Sequence, residues 1–177
     1  MADNKSELKR DKQTVTAEGE PLSNKIHGFF FKRLRPIEDK RGDITEMYCP
    51  DWGLHPDPMV FAYQVTIRPK TIRGWEMHKK QDDRIFISTG SQRWVLYDNR
   101  TDSPTYKMLN VFVFSELNRV LMIVPKGVIH AVENIGNEDA VFINFPTQPF
   151  NHTDPDKWRL PLKNDIIPFD FDDERGW

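Results

Sequence analysis

Residues 84–98 read Arg-Ile-Phe-Ile-Ser-Thr-Gly-Ser-Gln-Arg-Trp-Val-Leu-Tyr-Asp, and the fold class follows from them. Two apolar runs too short for helices, 84–88 and 93–98, flank Thr89-Gly90-Ser91, where glycine supplies the positive φ that a tight turn requires. The pattern recurs in both directions along the chain. Strand candidates occupy 27–34, 44–49, 60–67, 72–78, 84–88, 93–98, 108–114, 119–124, 130–134 and 140–145. Turns at Pro125-Lys126-Gly127 and Asn134-Ile135-Gly136-Asn137, and a polar loop at 100–104, separate several of them. So many short strands must close on themselves or stack in two layers to hide their edges, which predicts an all-β jelly-roll barrel. Beyond Thr147, four prolines (Pro149, Pro155, Pro161 and Pro168) interrupt any long element. An irregular C-terminal segment is therefore expected to wrap the barrel, with at most a turn or two of helix at 154–158.

A chain of 177 residues has room for one domain with a sizeable core, here expected over 25–177. Residues 1–24 are highly charged and lack an apolar run, so they read as a solvated, poorly ordered tail rather than a signal peptide. Lys plus Arg number 25 against 27 Asp plus Glu, which gives no electrostatic reason to expect a nucleic acid partner. Cys49, the single cysteine, excludes an internal disulfide and any multi-cysteine zinc site. No apolar run approaches the ~20 residues of a membrane-spanning helix. A cytoplasmic protein with no membrane association is the expectation.

Two stretches carry candidate chemistry. The first is Gly74-Trp75-Glu76-Met77-His78, followed by Asp83 and Gly90. Residues two apart on a strand share a face, so Glu76 and His78 should act together. The second is Pro125-Lys126-Gly127-Val128-Ile129-His130 with Asn134 following, a turn that opens into a strand bearing a histidine. Together they resemble the two cupin motifs, HxH with a later acid and glycine, and PxGxxHxxxN. Glu76 stands at the first histidine of that pattern and Asp83 at its glutamate. A cupin-type double-stranded β-helix would gather Glu76, His78, Asp83 and His130 at the barrel mouth.

A closer resemblance, from about Asp39 to the C-terminus, is to the dTDP-4-dehydrorhamnose 3,5-epimerase family. It rests on Asp39-Lys40-Arg41-Gly42 with Glu46, on Arg73-Gly74, and on Asp98-Asn99-Arg100 leading to Ser103-Pro104-Thr105. Residues 125–130 and 165–170 supply the remaining matches. The resemblance implies a homodimer that binds a nucleoside-diphosphate 4-keto-6-deoxy sugar and moves protons next to its ketone. A histidine acts as base in such enzymes, a cation steadies the enolate, and a tyrosine returns the proton, without metal or other cofactor. It further implies that Arg41, Glu46, Arg73 and His130 contact the base, diphosphate and sugar. Arg41 and Glu46 would do so across the subunit boundary.

The chain departs from that pattern at the reacting centre. Glu76 falls at the family's base, His78 two residues later, and Asp83 at or beside its lysine, with Arg84 the nearest cation. Asn144 and Phe150 stand where the family has tyrosines. Glu76, His78 and Asp83 are therefore the expected catalytic set, and Arg84 and Asn144 join the expected substrate contacts. A carboxylate tuned by burial and a neighbouring histidine can still remove an α-proton, which fits single epimerisation or keto-sugar isomerisation. Two other functions stay open. One is a metal-dependent, dioxygenase-like cupin that uses His78, His130 and a carboxylate; the other is a cupin that binds sugar nucleotides without turnover. Among blander readings, Arg41 can be a surface ion-pair partner of Asp39 or Glu46, and Trp75, Trp94 and Phe86 are expected in the core.

Overall fold

The computed structural model describes residues 10–172. In chain order its strands are β1 (Phe30–Arg33), β2 (Ile37–Asp39), β3 (Gly42–Ile44), β4 (Tyr63–Ile67), β5 (Ile72–Met77) and β6 (Asp83–Thr89). They continue with β7 (Gln92–Asp98), β8 (Leu109–Phe114), β9 (Val120–Val124), β10 (Val128–Asn134), β11 (Ala140–Asn144) and β12 (Trp158–Arg159). The only helical pieces among the described residues are single 3₁₀ turns at Pro50–Trp52 and Glu116–Asn118. One five-stranded antiparallel sheet has the order β1-β9-β6-β11-β4, and a second has the order β12-β5-β10-β7-β8. Strands β2 and β3 form a separate hairpin. The all-β, two-layer expectation holds.

Alternation along the strands explains the layers. Ile85, Ile87 and Phe142 from the first sheet meet Trp94, Leu96 and Val132 from the second in one buried cluster. The opposite faces are covered as well. Trp75, Val95, Tyr97 and Ile129 point out of the second sheet and lie under Ile167, Phe169 and Phe171 of the C-terminal segment, where Trp75 Nε1 donates to the Leu162 carbonyl at 3.1 Å. Phe86 and Phe145 point out of the first sheet and lie under Tyr48, Trp52 and Leu54. Trp75, Trp94 and Phe86 are thus all core residues.

Three local expectations are corrected. The run 44–49 pairs only at its first residue, because Tyr48 turns onto the outer face of the first sheet and the chain enters the Pro50–Trp52 turn. The strand expected over 27–34 begins only at Phe30, since Gly28 has φ +81° and Phe29 N closes a turn on Ile26 O. No helix forms at 154–158. Instead, Trp158 and Arg159 pair with Met77 and Glu76 as an added edge strand. Of the polar tail expected over 1–24, residues 1–9 lie outside the described part. From Arg10 the chain is mostly exposed and bends back through a bridge between Val15 and Pro21, with Glu20 paired to Arg33 at 2.6 Å.

Two glycines are demanded by the geometry. Gly90, at φ +75°, ends the first motif where a Cβ would come within 2.6 Å of the Ala140 backbone. Gly127, at φ +81°, donates its N–H to the His78 carbonyl at 2.7 Å, clasping the second motif onto the first.

Candidate functional site

The cross-strand register of β5 and β10 sets Glu76 directly opposite His130. Directly opposed residues share a face, and this one looks into the barrel beside Trp94. A bulge follows: four residues of β5 (from Glu76 back to Arg73) span the same stretch as three of β10 (His130 to Val132), so Arg73 returns to the inner face opposite Val132. Arg73 and Glu76 consequently line one cavity, although plain alternation would separate them. On the facing sheet, Asp83 opens β6 and Asn144 closes β11.

His78, Asp83 and His130 are buried and Glu76 is half-buried. His78 Nε2 lies 3.3 Å from Asp83 Oδ2, and His130 Nε2 lies 3.6 Å from both Asp83 Oδ2 and Glu76 Oε1. The two rings are oriented by the backbone. His130 Nδ1 sits 3.2 Å from the Val128 carbonyl, and His78 Nδ1 meets the Asp156 carbonyl. A carbonyl oxygen can only accept, so each Nδ1 carries a hydrogen, while both Nε2 atoms are turned toward the carboxylates. The Asp156 carboxylate in turn accepts from the backbone N–H groups of Lys79 and Lys80, fixing the C-terminal segment over the site.

Charge is concentrated at Glu76. Lys157 Nζ approaches Glu76 Oε2 at 2.6 Å and Arg159 follows at 3.7 Å, both from β12 or the residue before it. Burial disfavours the Glu76 carboxylate, but His130 and Lys157 outweigh it and hold the group well below the usual carboxylate range. Burial likewise disfavours protonated His130, and the carboxylates of Glu76 and Asp83 reverse that, raising its pKa. Asp83 Oδ1 accepts from Asn144 Nδ2 at 2.9 Å and Gln81 Nε2 at 3.0 Å. Asn144 Nδ2 also donates to the Tyr63 hydroxyl at 2.9 Å, and Asn144 Oδ1 is buried without a partner.

Of the residues singled out in the sequence, Glu76, His78, Asp83, His130, Arg73 and Asn144 converge here. Three do not. Arg84 alternates with Asp83 and points out of the barrel; its guanidinium donates to the carbonyls of Asp57, Pro58, Phe145 and Pro146 at 2.6–3.2 Å. Arg41 is exposed on the β2–β3 hairpin and paired with Asp39, and Glu46 is exposed beyond that hairpin. Lys157 and Tyr63 are among the site residues that were not anticipated. Lys157 lies in the proline-interrupted segment and carries no motif. Tyr63 shares a face with Val65 and Ile67 by simple alternation, a signal present in the sequence. An outer cleft, walled by Phe61, Tyr63, His78, Gln148, Phe150 and Lys157, leads from this cluster to solvent.

Chemically, the cluster can hold and move protons, and it presents cations for a developing oxyanion. Ligand atoms of Glu76, His78 and His130 also lie within 4.8 Å of one another, so these side chains could grip a divalent cation. Such an ion would compete with Lys157 for Glu76.

The family model described as dTDP-4-dehydrorhamnose 3,5-epimerase matches residues 23–158. A Haloferax volcanii protein described as a "probable low-salt glycan biosynthesis epimerase", Agl13, is 34% identical over 151 residues, covering 84% of this chain and 96% of its own length. The Bacillus subtilis spore coat polysaccharide biosynthesis protein SpsL is 33% identical over 149 residues, covering 84% of this chain and 98% of its own. A crystal structure of a dTDP sugar isomerase from Desulfovibrio desulfuricans superposes with a TM-score of 0.76 at 23% identity, covering 81% of this chain and 90% of that one. The jelly-roll fold is shared with it. No helix among the described residues is long and apolar enough to cross a membrane.

Proposed function

Because the chain belongs to the dTDP-4-dehydrorhamnose 3,5-epimerase family, we propose that it is a sugar-nucleotide epimerase or isomerase acting on a nucleoside-diphosphate 4-keto-6-deoxy sugar. The observation that carries this reading is the convergence of Glu76, His78, Asp83 and His130 with Lys157 at one cleft between the sheets. Glu76 and His78 are the proton-transfer groups. Asp83 and His130 hold them in register, and Lys157 leaves Glu76 for the ketone oxygen as negative charge develops there, which frees the carboxylate to accept a proton. Arg73 provides a charged fork for the diphosphate or sugar.

The test is product analysis. On incubation with dTDP-4-keto-6-deoxyglucose and its UDP counterpart, ring-proton couplings by NMR should reveal an epimer or a migrated ketone. Nucleotide binding with no product from either sugar would leave only the binding-module reading. The metal-dependent alternative draws on one observation, the ligand atoms of Glu76, His78 and His130 lying within 4.8 Å of one another. Stoichiometric Fe, Mn, Ni or Zn in protein expressed with ample metal would support it over the present assignment.

The same reading includes a homodimer. Ile37 and Ile44 are cross-strand partners on the β2–β3 hairpin and are 70% and 68% exposed, more apolar surface than an isolated hairpin should leave in water. A partner surface that covers them would also carry Arg41 and Glu46 toward a neighbouring subunit's cleft. Light scattering at micromolar concentration should give twice the chain mass, and a monomer would contradict this assembly.

A further inference from the structure

Asn144 occupies a position where the family pattern has a tyrosine, and the structure sets another phenol beside it. Tyr63 on β4 is the direct cross-strand partner of Asn144 on β11. Asn144 Nδ2 spends its hydrogens on the Tyr63 hydroxyl oxygen and on Asp83 Oδ1, each at 2.9 Å. Because the amide donates to that hydroxyl, the phenolic hydrogen is not consumed by it and can be offered to the cleft. The amide cannot rotate to feed its own orphaned Oδ1 without facing that oxygen toward the Asp83 carboxylate. Tyr63 is therefore held by its oxygen, with its hydrogen uncommitted to Asn144.

Its placement is equally specific. Tyr63, Asn144 and Asp83 lie on the sheet β1-β9-β6-β11-β4, whereas Glu76 and His130 lie on the opposing sheet. Tyr63 also lines both the inner cavity that holds Glu76 and the outer cleft that holds His78 and Lys157. A sugar ring seated in the outer cleft, where it opens onto the inner cavity, would lie against Tyr63 from the first sheet and His78 and Lys157 from the other side, with Glu76 beneath it. Burial, reinforced by the negative charge of Asp83, pushes the Tyr63 pKa above its ordinary value and keeps the group protonated.

We propose that Tyr63 is the proton donor that completes inversion, oriented by Asn144 as a positioning residue; this rests on the epimerase reading above. In the first half-reaction the base takes the C–H proton next to the ketone, and that electron pair becomes the enolate. In the second, the Tyr63 O–H bond breaks, its proton joins the opposite face of the same carbon, and the enolate returns to the ketone. The base is left protonated and Tyr63 as phenolate; proton exchange with water in the cleft restores both.

The test separates proton removal from inversion. Wild type, Tyr63→Phe and Asn144→Ala are incubated with dTDP-4-keto-6-deoxyglucose in D2O, and deuterium content and configuration are read at the same carbon. Tyr63→Phe should keep deuterium wash-in with the original configuration within about 3-fold of wild type while inversion falls by roughly 100-fold or more. Asn144→Ala should shift the ratio the same way by about 10-fold, which preserves the test if Tyr63→Phe does not fold. Inversion at the wild-type rate in Tyr63→Phe, or parallel loss of wash-in and inversion in both variants, overturns the proposal. A wild-type protein with neither wash-in nor inversion would instead remove the epimerase reading, and this assignment with it.

Discussion

Asp98 and Asp83 are two aspartates at strand ends, 0% and 2% exposed, and the protein treats them in opposite ways. Asp98 closes a loop. Its carboxylate accepts from Arg100 Nε at 2.8 Å, Arg100 Nη2 at 2.9 Å, and the hydroxyls of Ser103 and Thr105 at 2.6 Å each. Burial disfavours its charge, yet Arg100 and the hydroxyls outweigh this and hold its pKa well below the carboxylate range. Arg100 and Thr105 also reach the backbone of His27, so the loop anchors the entry to the first sheet. Asp83 is saturated only on Oδ1. Its Oδ2 faces two imidazoles at 3.3 and 3.6 Å, longer than a well-formed hydrogen bond. A buried carboxylate whose lone pairs are all used holds structure, whereas one with loose contacts on one oxygen retains capacity to respond to a ligand.

Isosteric substitutions should give crossed phenotypes. Asp83→Asn removes the charge between the two imidazoles and should lower turnover by about 10³-fold, with a stability loss of only about 1 kcal/mol. Asp98→Asn should do the reverse, costing about 3 kcal/mol in chemical denaturation with turnover per folded molecule unchanged. If both variants lose activity and stability in the same proportion, the distinction between the two carboxylates is broken.

Arg84 sharpens the comparison from the cation side. Its donors are committed to backbone carbonyls, so Arg84→Met should strand those oxygens and cost about 2 kcal/mol in denaturation while KM stays near wild type. Sequence spacing had placed it near the substrate because it is the nearest cation to a family lysine position. Alternation along β6 decides otherwise: when Asp83 points in, Arg84 must point out.

The strands were legible in the sequence because alternating apolar runs and glycine turns are local signals. The four-residue cluster was legible because two motifs at fixed spacing brought it together. Lys157 was not, since it reaches Glu76 only after the chain has wrapped the barrel and added β12, a long-range event without a local pattern. The inward position of Arg73 depends on the β5 bulge, for which Gly74 is the only hint. The loop at 98–105, the most specific part of the family resemblance, satisfies its own polar groups; specificity of a motif does not by itself locate chemistry.

Proton linkage gives a smaller effect. The folded pKa of His130 is raised, so its contribution to stability is fully present below the ordinary imidazole value of about 6.5 and is lost as pH rises through the folded value. The Glu76 pKa is lowered, so its contribution is present above the ordinary carboxylate value of about 4.3 and is lost as pH falls through the folded value. The stability gap between wild type and Glu76→Gln should therefore be widest between these limits and narrow above neutral pH. The His130 ring resonance should titrate at lower pH in Glu76→Gln than in wild type, because the carboxylate that raises its pKa is gone. Smallest of all, Arg41→Ala should leave the denaturation midpoint of the chain unchanged, because its pair with Asp39 is exposed.

Solvent-deuterium incorporation into a nucleotide-linked 4-keto-6-deoxy sugar, with wild type and Glu76→Gln side by side, tests the central claim most directly. Wild type should place deuterium on a carbon flanking the ketone, and Glu76→Gln, still folded, should do so about 10³-fold more slowly. Equal incorporation by both proteins would contradict the assignment of Glu76 as proton acceptor.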